Sequence, residues 1–71
     1  MIKAMYARRN GDYAFLRLED SDINSPAFGK YSIDARHTDG RSDNFDTPYG
    51  ESRQVCEDWL RDREYVKRAE S

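Results

Sequence analysis

Asn10-Gly11, set between two runs of alternating apolar residues, is the feature that most constrains this fold. A two-residue hairpin loop of type I′ needs φ > 0 at both central positions, and Asn-Gly meets that need at little steric cost. Ile2 to Arg9 and Tyr13 to Glu19 therefore read as antiparallel strands. With Asn10-Gly11 as the whole loop, Arg9 faces Asp12 and Tyr6 faces Phe15. Strand alternation then assigns two faces. Met5, Ala7, Ala14, Leu16 and Leu18 form one, small and aliphatic, and it is expected to be the core face. Ile2, Tyr6, Tyr13 and Phe15, interleaved with Arg8 and Arg17, form the other.

A second hairpin is expected downstream. Tyr31, Ile33, Ala35 and His37 alternate with polar residues, and Asp39-Gly40 marks a turn before Arg41 to Asp46. A two-residue loop would set Phe45 opposite Asp34. A three-residue loop, Thr38-Asp39-Gly40 with Gly40 left-handed, sets it opposite Ile33 and is expected for that reason, since a one-residue slip turns every side chain over. Glu19 to Gly29 reads as a loop, with a turn at Asn24-Ser25-Pro26 and with Ile23 and Phe28 expected to pin it.

A helix should follow, capped by Asp46 or Thr47 with Pro48 in its first turn; Gly50 favours a start nearer Glu51. Tyr49, Val55, Cys56, Trp59 and Leu60 recur on one side at helical spacing, and Trp59 is expected over Ala7 and Ala14. Tyr65 and Val66 either extend the helix or fold back on the sheet, and Lys67 to Ser71 should fray. The expected class is α+β: a four-stranded antiparallel sheet from two hairpins, one face covered by a single C-terminal helix, in the order ββββα.

Seventy-one residues make one domain, 1–71, with a single small core. Such a chain has little apolar material left over to enclose a deep catalytic pocket. Charged residues are 37% of it, yet aromatics are 13%, which is a folded rather than a disordered composition. Cys56 stands alone, excluding an internal disulfide or a cysteine-rich zinc site and suiting a reducing compartment. The first six residues lack the apolar core of a secretion signal, and no apolar run reaches the ~20 residues of a membrane span. The expected location is the cytoplasm of a bacterium or of an infected cell. The net charge of −2 hides a gradient: residues 1–18 carry Lys3, Arg8, Arg9 and Arg17 against Asp12, whereas the acidic excess lies in residues 19–51.

No catalytic, cofactor or metal constellation is recognisable. His37 has no nucleophile placed for it by any motif, and Cys56 shares the apolar helix side, which predicts an inert buried thiol. Asp39-Gly40-Arg41 breaks the spacing of a calcium loop. Two binding constellations remain. One is the aromatic-basic hairpin face, Tyr6, Arg8, Tyr13, Phe15 and Arg17, a composition used by protein hot spots and by single-strand nucleic-acid binders. The overall acidity works against nucleic acid, and a second copy of the chain is a third candidate to cover this face, leaving monomer and homodimer both open. The other is an acidic edge, Glu19, Asp20, Asp22, Asp39, Asp43 and Asp46, suited to a basic partner.

The layout also resembles a known class. Asn44-Phe45-Asp46-Thr47, followed by Glu51 and then Glu57-Asp58-Trp59-Leu60, is similar to the strand-to-helix junction of small phage-encoded anti-CRISPR inhibitors of type I surveillance complexes. The resemblance covers about a third of the chain. It implies a non-enzymatic, stoichiometric inhibitor of a host protein or ribonucleoprotein complex, with the acidic residues standing in for phosphates in a basic groove.

Overall fold

In a computed structural model that describes all 71 residues, three strands come first: β1 (Ile2–Ala7), β2 (Tyr13–Leu18) and β3 (Tyr31–Arg36). One helix, α1 (Arg53–Asp62), and a last strand, β4 (Val66–Glu70), follow. The strands form one antiparallel sheet in the order β3-β2-β1-β4. The expected four-stranded sheet with a single helix is present. Its fourth strand, however, is drawn from the C-terminus and not from Arg41 to Asp46, so the helix precedes the last strand.

The first hairpin differs from expectation by one residue. Arg8 N donates to Asp12 O at 2.8 Å, Gly11 N donates to Arg8 O at 3.0 Å, and Gly11 takes φ 95°. The loop is therefore Arg9-Asn10-Gly11, a turn closed by a left-handed glycine. The register becomes Tyr6 opposite Ala14 and Met5 opposite Phe15. Ala14 and Leu16 keep their expected place in the core, but β1 turns over. Ala4 and Tyr6 now join them, with Ile33 and Ala35 from β3 and Cys56, Leu60 and Tyr65 from the covering layer. Met5 and Ala7 pass to the opposite face. The longer loop also brings Arg8 beside Asp12, the only buried charged residue at 8% exposure. Asp12 accepts from Arg8 Nη2 (3.0 Å), Asn10 Nδ2 (3.2 Å), Thr38 N (3.1 Å) and Thr38 Oγ1 (3.2 Å), tying the two turns together.

The second turn takes the expected three-residue form, with His37 N donating to Arg41 O at 2.8 Å and Gly40 at φ 91°. The ladder then stops after one bridge, Arg36 to Ser42. Asp43 N still reaches Ala35 O at 2.9 Å, but the amide N–H of Ala35 is taken by the Asn44 side chain, Oδ1, at 2.7 Å. Ser, Asp and Asn are poor strand formers because their side chains compete for backbone groups in this way. The exchange turns Phe45 out to complete exposure, 100%, instead of placing it against Ile33. Farther along, Pro48 O accepts from Ile33 N at 3.0 Å, and Tyr31 N donates to Glu51 O at 2.7 Å. The outer edge of β3 is thus satisfied by a loop, as an exposed sheet edge requires.

Ser52, not Asp46 or Thr47, caps α1: its Oγ accepts from Val55 N at 3.2 Å. Cys56 and Leu60, one turn apart, are fully buried as expected, whereas Tyr49 and Val55 face solvent. The helix ends in a Schellman motif, with Tyr65 N bonded to Leu60 O and Glu64 N to Arg61 O, both at 2.9 Å, and Glu64 at φ 66°. That turn folds Tyr65 back onto the core and aims the chain along β1. Residues 67–71, expected to fray, are held there: Ser71 N donates to Lys3 O at 2.8 Å and Arg53 Nη2 reaches Glu70 Oε1 at 2.6 Å. Trp59 packs half-buried beside the core and stacks on Tyr65, while Ala7 is on the far side of the sheet. In the Glu19–Gly29 loop the buried residue is Ala27, and Ile23 and Phe28 are exposed.

Candidate functional site

The helix and Tyr65 cover one face of the sheet, and no helix or strand lies over the other. The pairing lays two rows across this open face: Asp34, Phe15, Met5, Ala69 and, parallel to it, Arg36, Tyr13, Ala7, Val66. The β3 side is polar, with Arg36 Nε bonded to Asp34 Oδ1 at 3.1 Å. The middle is aromatic, with Tyr13 and Phe15 edge to face at 5.7 Å. The far side is aliphatic and more open, Val66 being 54% and Ile2 42% exposed. A lysine bulge at position 3 restores Ile2 to this face opposite Arg17.

Of the aromatic-basic constellation read in the sequence, Tyr13, Phe15 and Arg17 come together here. Tyr6 and Arg8 do not. Tyr6 is in the core, where burial pushes its phenol pKa up. Arg8 is paired with Asp12 and its guanidinium stands 4.6 Å over the Tyr65 ring, on the covered side.

At the β3 rim of the open face the Asn44 side chain links two levels. Its Nδ2 donates to Asp34 Oδ1 at 3.0 Å while its Oδ1 accepts from Ala35 N. Phe45 is the next residue in the chain, and its side chain is completely exposed. Asp34, which also takes bonds from Arg36, has its pKa lowered: burial would raise it, but the Asn44 and Arg36 hydrogen bonds and the arginine charges outweigh that. Sequence reasoning missed Phe45 because hydrophobicity alone assigned it to the core; the signal against that was the weak strand run Ser42-Asp43-Asn44.

The acidic residues do not gather into one patch. Glu19, Asp20 and Asp22 follow the end of β2, while Asp39 and Asp43 follow the end of β3, so a six-residue strand, about 20 Å, separates the groups. Most have local employment. Glu19 accepts from the backbone and hydroxyl of Ser21, both at 2.9 Å, and from Asp22 N, which lowers its pKa. Asp20 lies 3.6 Å from the chain's amino terminus. Asp22 caps Asn24 N at 3.0 Å. Asp39 holds Arg41 through its backbone N–H and its guanidinium at 2.7 Å, which lowers its pKa. Asp43 lies 3.8 Å from His37 Nε2, and Asp46 lies 3.3 Å from Arg63.

Cys56 is fully buried, and burial, with the nearby Glu51 and Glu57 charges, pushes its thiol up to about 11, the wrong direction for a nucleophile. No group of three His, Cys, Asp or Glu side chains is arranged to hold a metal ion, and no helix is long and apolar enough to cross a membrane. No protein-family model matches the chain, and no significant match is found among curated proteins or solved structures.

Proposed function

We propose that this chain is a small non-enzymatic binding protein whose open sheet face, with Phe45 at its rim, meets a protein partner. The observation that supports this is the uncovered face itself. Met5, Tyr13, Phe15 and Val66 present aromatic and aliphatic surface with arginine alongside, a composition typical of interface hot spots. Phe45, fully exposed beside the tethered Asn44, adds a further aromatic contact. The partner class that fits the anti-CRISPR resemblance is a host defence or nucleic-acid-handling complex in the cytoplasm. Affinity is assigned to the aromatic face rather than to phosphate mimicry, because the carboxylates stand at opposite ends of the sheet and are mostly engaged within the chain.

The test is affinity capture from bacterial lysate with wild type and with Phe15→Glu, at a half-buried position on the open face, and Phe45→Ser, at a fully exposed one; neither residue belongs to the buried core. The proposal expects a defined protein retained in high salt by wild type and lost by Phe15→Glu. Retention by both variants would sink it. If light scattering shows a dimer that Phe15→Glu dissociates, the face is instead an interface between copies.

A second reading, single-stranded nucleic acid, is favoured by one specific feature: Tyr13 and Phe15 lie mid-sheet with Arg17 and Arg36 beside them, as base-stacking platforms do. Filter binding with single-stranded DNA and RNA at low salt decides it; no retention ends that reading.

A further inference from the structure

β4 buries none of its residues. It pairs only with β1, at the edge of the sheet, and no strand lies outside it. What holds the segment Tyr65–Ser71 is therefore a backbone ladder and a few anchors. Tyr65, 6% exposed, stacks on Trp59 at 6.1 Å, and Arg8 stands 4.6 Å over its ring. Glu70 accepts from Arg53 Nη2 at 2.6 Å, and Ser71 N donates to Lys3 O at 2.8 Å. β1, β2 and β3 are paired with one another without it, and the outer edge of β3 is closed by the loop through Pro48 and Glu51.

The connection to this segment is short and strained. α1 ends at Asp62, and Arg63 and Glu64 alone turn the chain back to Tyr65. Glu64 sits at φ 66°, in the left-handed region that a residue with a Cβ adopts at a cost. Short hinges under strain favour the exchange of a terminal element between copies. Opening relieves the hinge, and the exchanged element regains on the partner the contacts it left.

We propose that a second copy of this chain is a binding partner, through exchange of Tyr65–Ser71, each copy laying its segment along β1 of the other. The fit of the segment argues for that occupant. Opening leaves three vacancies: the outer edge of β1, the place of the Tyr65 ring beside Trp59, and the guanidinium of Arg53 that held Glu70. One segment fills all three at once, and an identical chain carries it. The sheet face opposite α1 stays open in each copy, so the exchange is separate from the partner proposed for that face. A short tether holds a chain's own segment at an effective concentration in roughly the millimolar range. The closed monomer therefore prevails in dilute solution. The exchanged dimer forms at about 1 mM, and release of strain at two hinges lowers that concentration further.

The experiment uses the full chain carrying Met5→Cys and Ala69→Cys, which face each other across β1 and β4. Cys56 is fully buried and stays out of the reaction. The protein is folded by removal of urea at about 10 µM and at about 1 mM, sized by light scattering, and treated with a short bis-maleimide. The expected product at the lower concentration is a monomer linked within its chain. At the higher one it is a dimer whose chains are linked to each other on a denaturing gel, and wild type without the new cysteines should give the same mass in solution. Glu64→Gly, which relieves both hinges in the closed form, should need about 10-fold more protein to dimerise. Phe15→Glu should dimerise as wild type does, whereas a dimer joined through the open face would dissociate. A monomer at about 1 mM, a dimer linked only within its chains, a dimer lost in Phe15→Glu, or an unchanged requirement in Glu64→Gly would overturn the proposal.

Discussion

The orientation of β1 decides which residues are free to bind anything, and four substitutions test it. Ala4 is 2% exposed and packs in the core cluster, whereas Ala7 is on the open face. Ala4→Leu forces added methylenes into a closed space and should cost about 1–3 kcal/mol. Ala7→Leu adds them over solvent-facing neighbours and should stay within about 0.5 kcal/mol of wild type. The truncations run the same way. Tyr6→Ala empties a buried ring and should cost roughly 3–5 kcal/mol. Met5→Ala trims a half-buried side chain and should cost about 1 kcal/mol. A chain of this size has roughly 4–11 kcal/mol of total stability, so Tyr6→Ala leaves it marginal and Ala4→Leu, which still folds, is the informative variant. Urea unfolding followed by Trp59 fluorescence measures both. With a slope near ~1 kcal/mol per molar, Ala4→Leu should lower the midpoint by about 1–3 M and Ala7→Leu by less than ~0.5 M. The reverse order would mean that β1 presents Met5 and Ala7 to the helix. The hairpin would then close on two residues, and the open face described above would be wrong.

Three further outcomes follow from the same structure. Asp12 has a carboxyl pKa lowered below its ordinary 3.8: burial raises it, but bonds from Asn10, Arg8 and Thr38 prevail. Its contribution is therefore present above that value and lost as pH falls through the lowered one; Asp12→Asn should be less stable than wild type at neutral pH, with the difference closing in acid. Cys56 runs the other way, since a thiol raised from 9.0 to about 11 contributes stability that fades as pH climbs through that interval. Native protein should resist thiol reagents at neutral pH, and Cys56→Ala should lessen the loss of stability between those values; rapid labelling of the folded state would refute the burial. Glu64 sits at φ 66°, a conformation glycine adopts without steric cost, so Glu64→Gly should raise stability by roughly 0.5–1 kcal/mol in thermal or urea unfolding.

What the sequence disclosed, and where it misled, both trace to single residues. Alternation marked β1, β2 and β3, and the pairing of Cys56 with Leu60 marked the buried side of the helix, because burial on one side leaves a period that composition cannot hide. Asn10-Gly11 marked the turn but not its length. Arg9 joins the loop and Gly11 alone takes positive φ, and that one residue moved Tyr6 into the core and Met5 out of it. The same consideration applied to Gly40 gave the right loop there, yet the strand after it failed for a different reason. Asn44 supplies from its side chain the acceptor that a strand backbone would have supplied to Ala35. Such a substitution has no periodic signature. Once β3's outer edge is closed in this way, the outer edge of β1 is the one left to pair, and a Schellman turn at a non-glycine residue sends Val66–Glu70 to it. The charged C-terminus reads as a fraying tail because β4 buries none of its residues and is held by backbone bonds, which any sequence can make. The candidate site inherits the same division. Tyr13, Phe15 and Arg17 were legible because β2 faces the same way in either register. Phe45 depends on a loop diversion, where long-range geometry, not local pattern, chooses the neighbours.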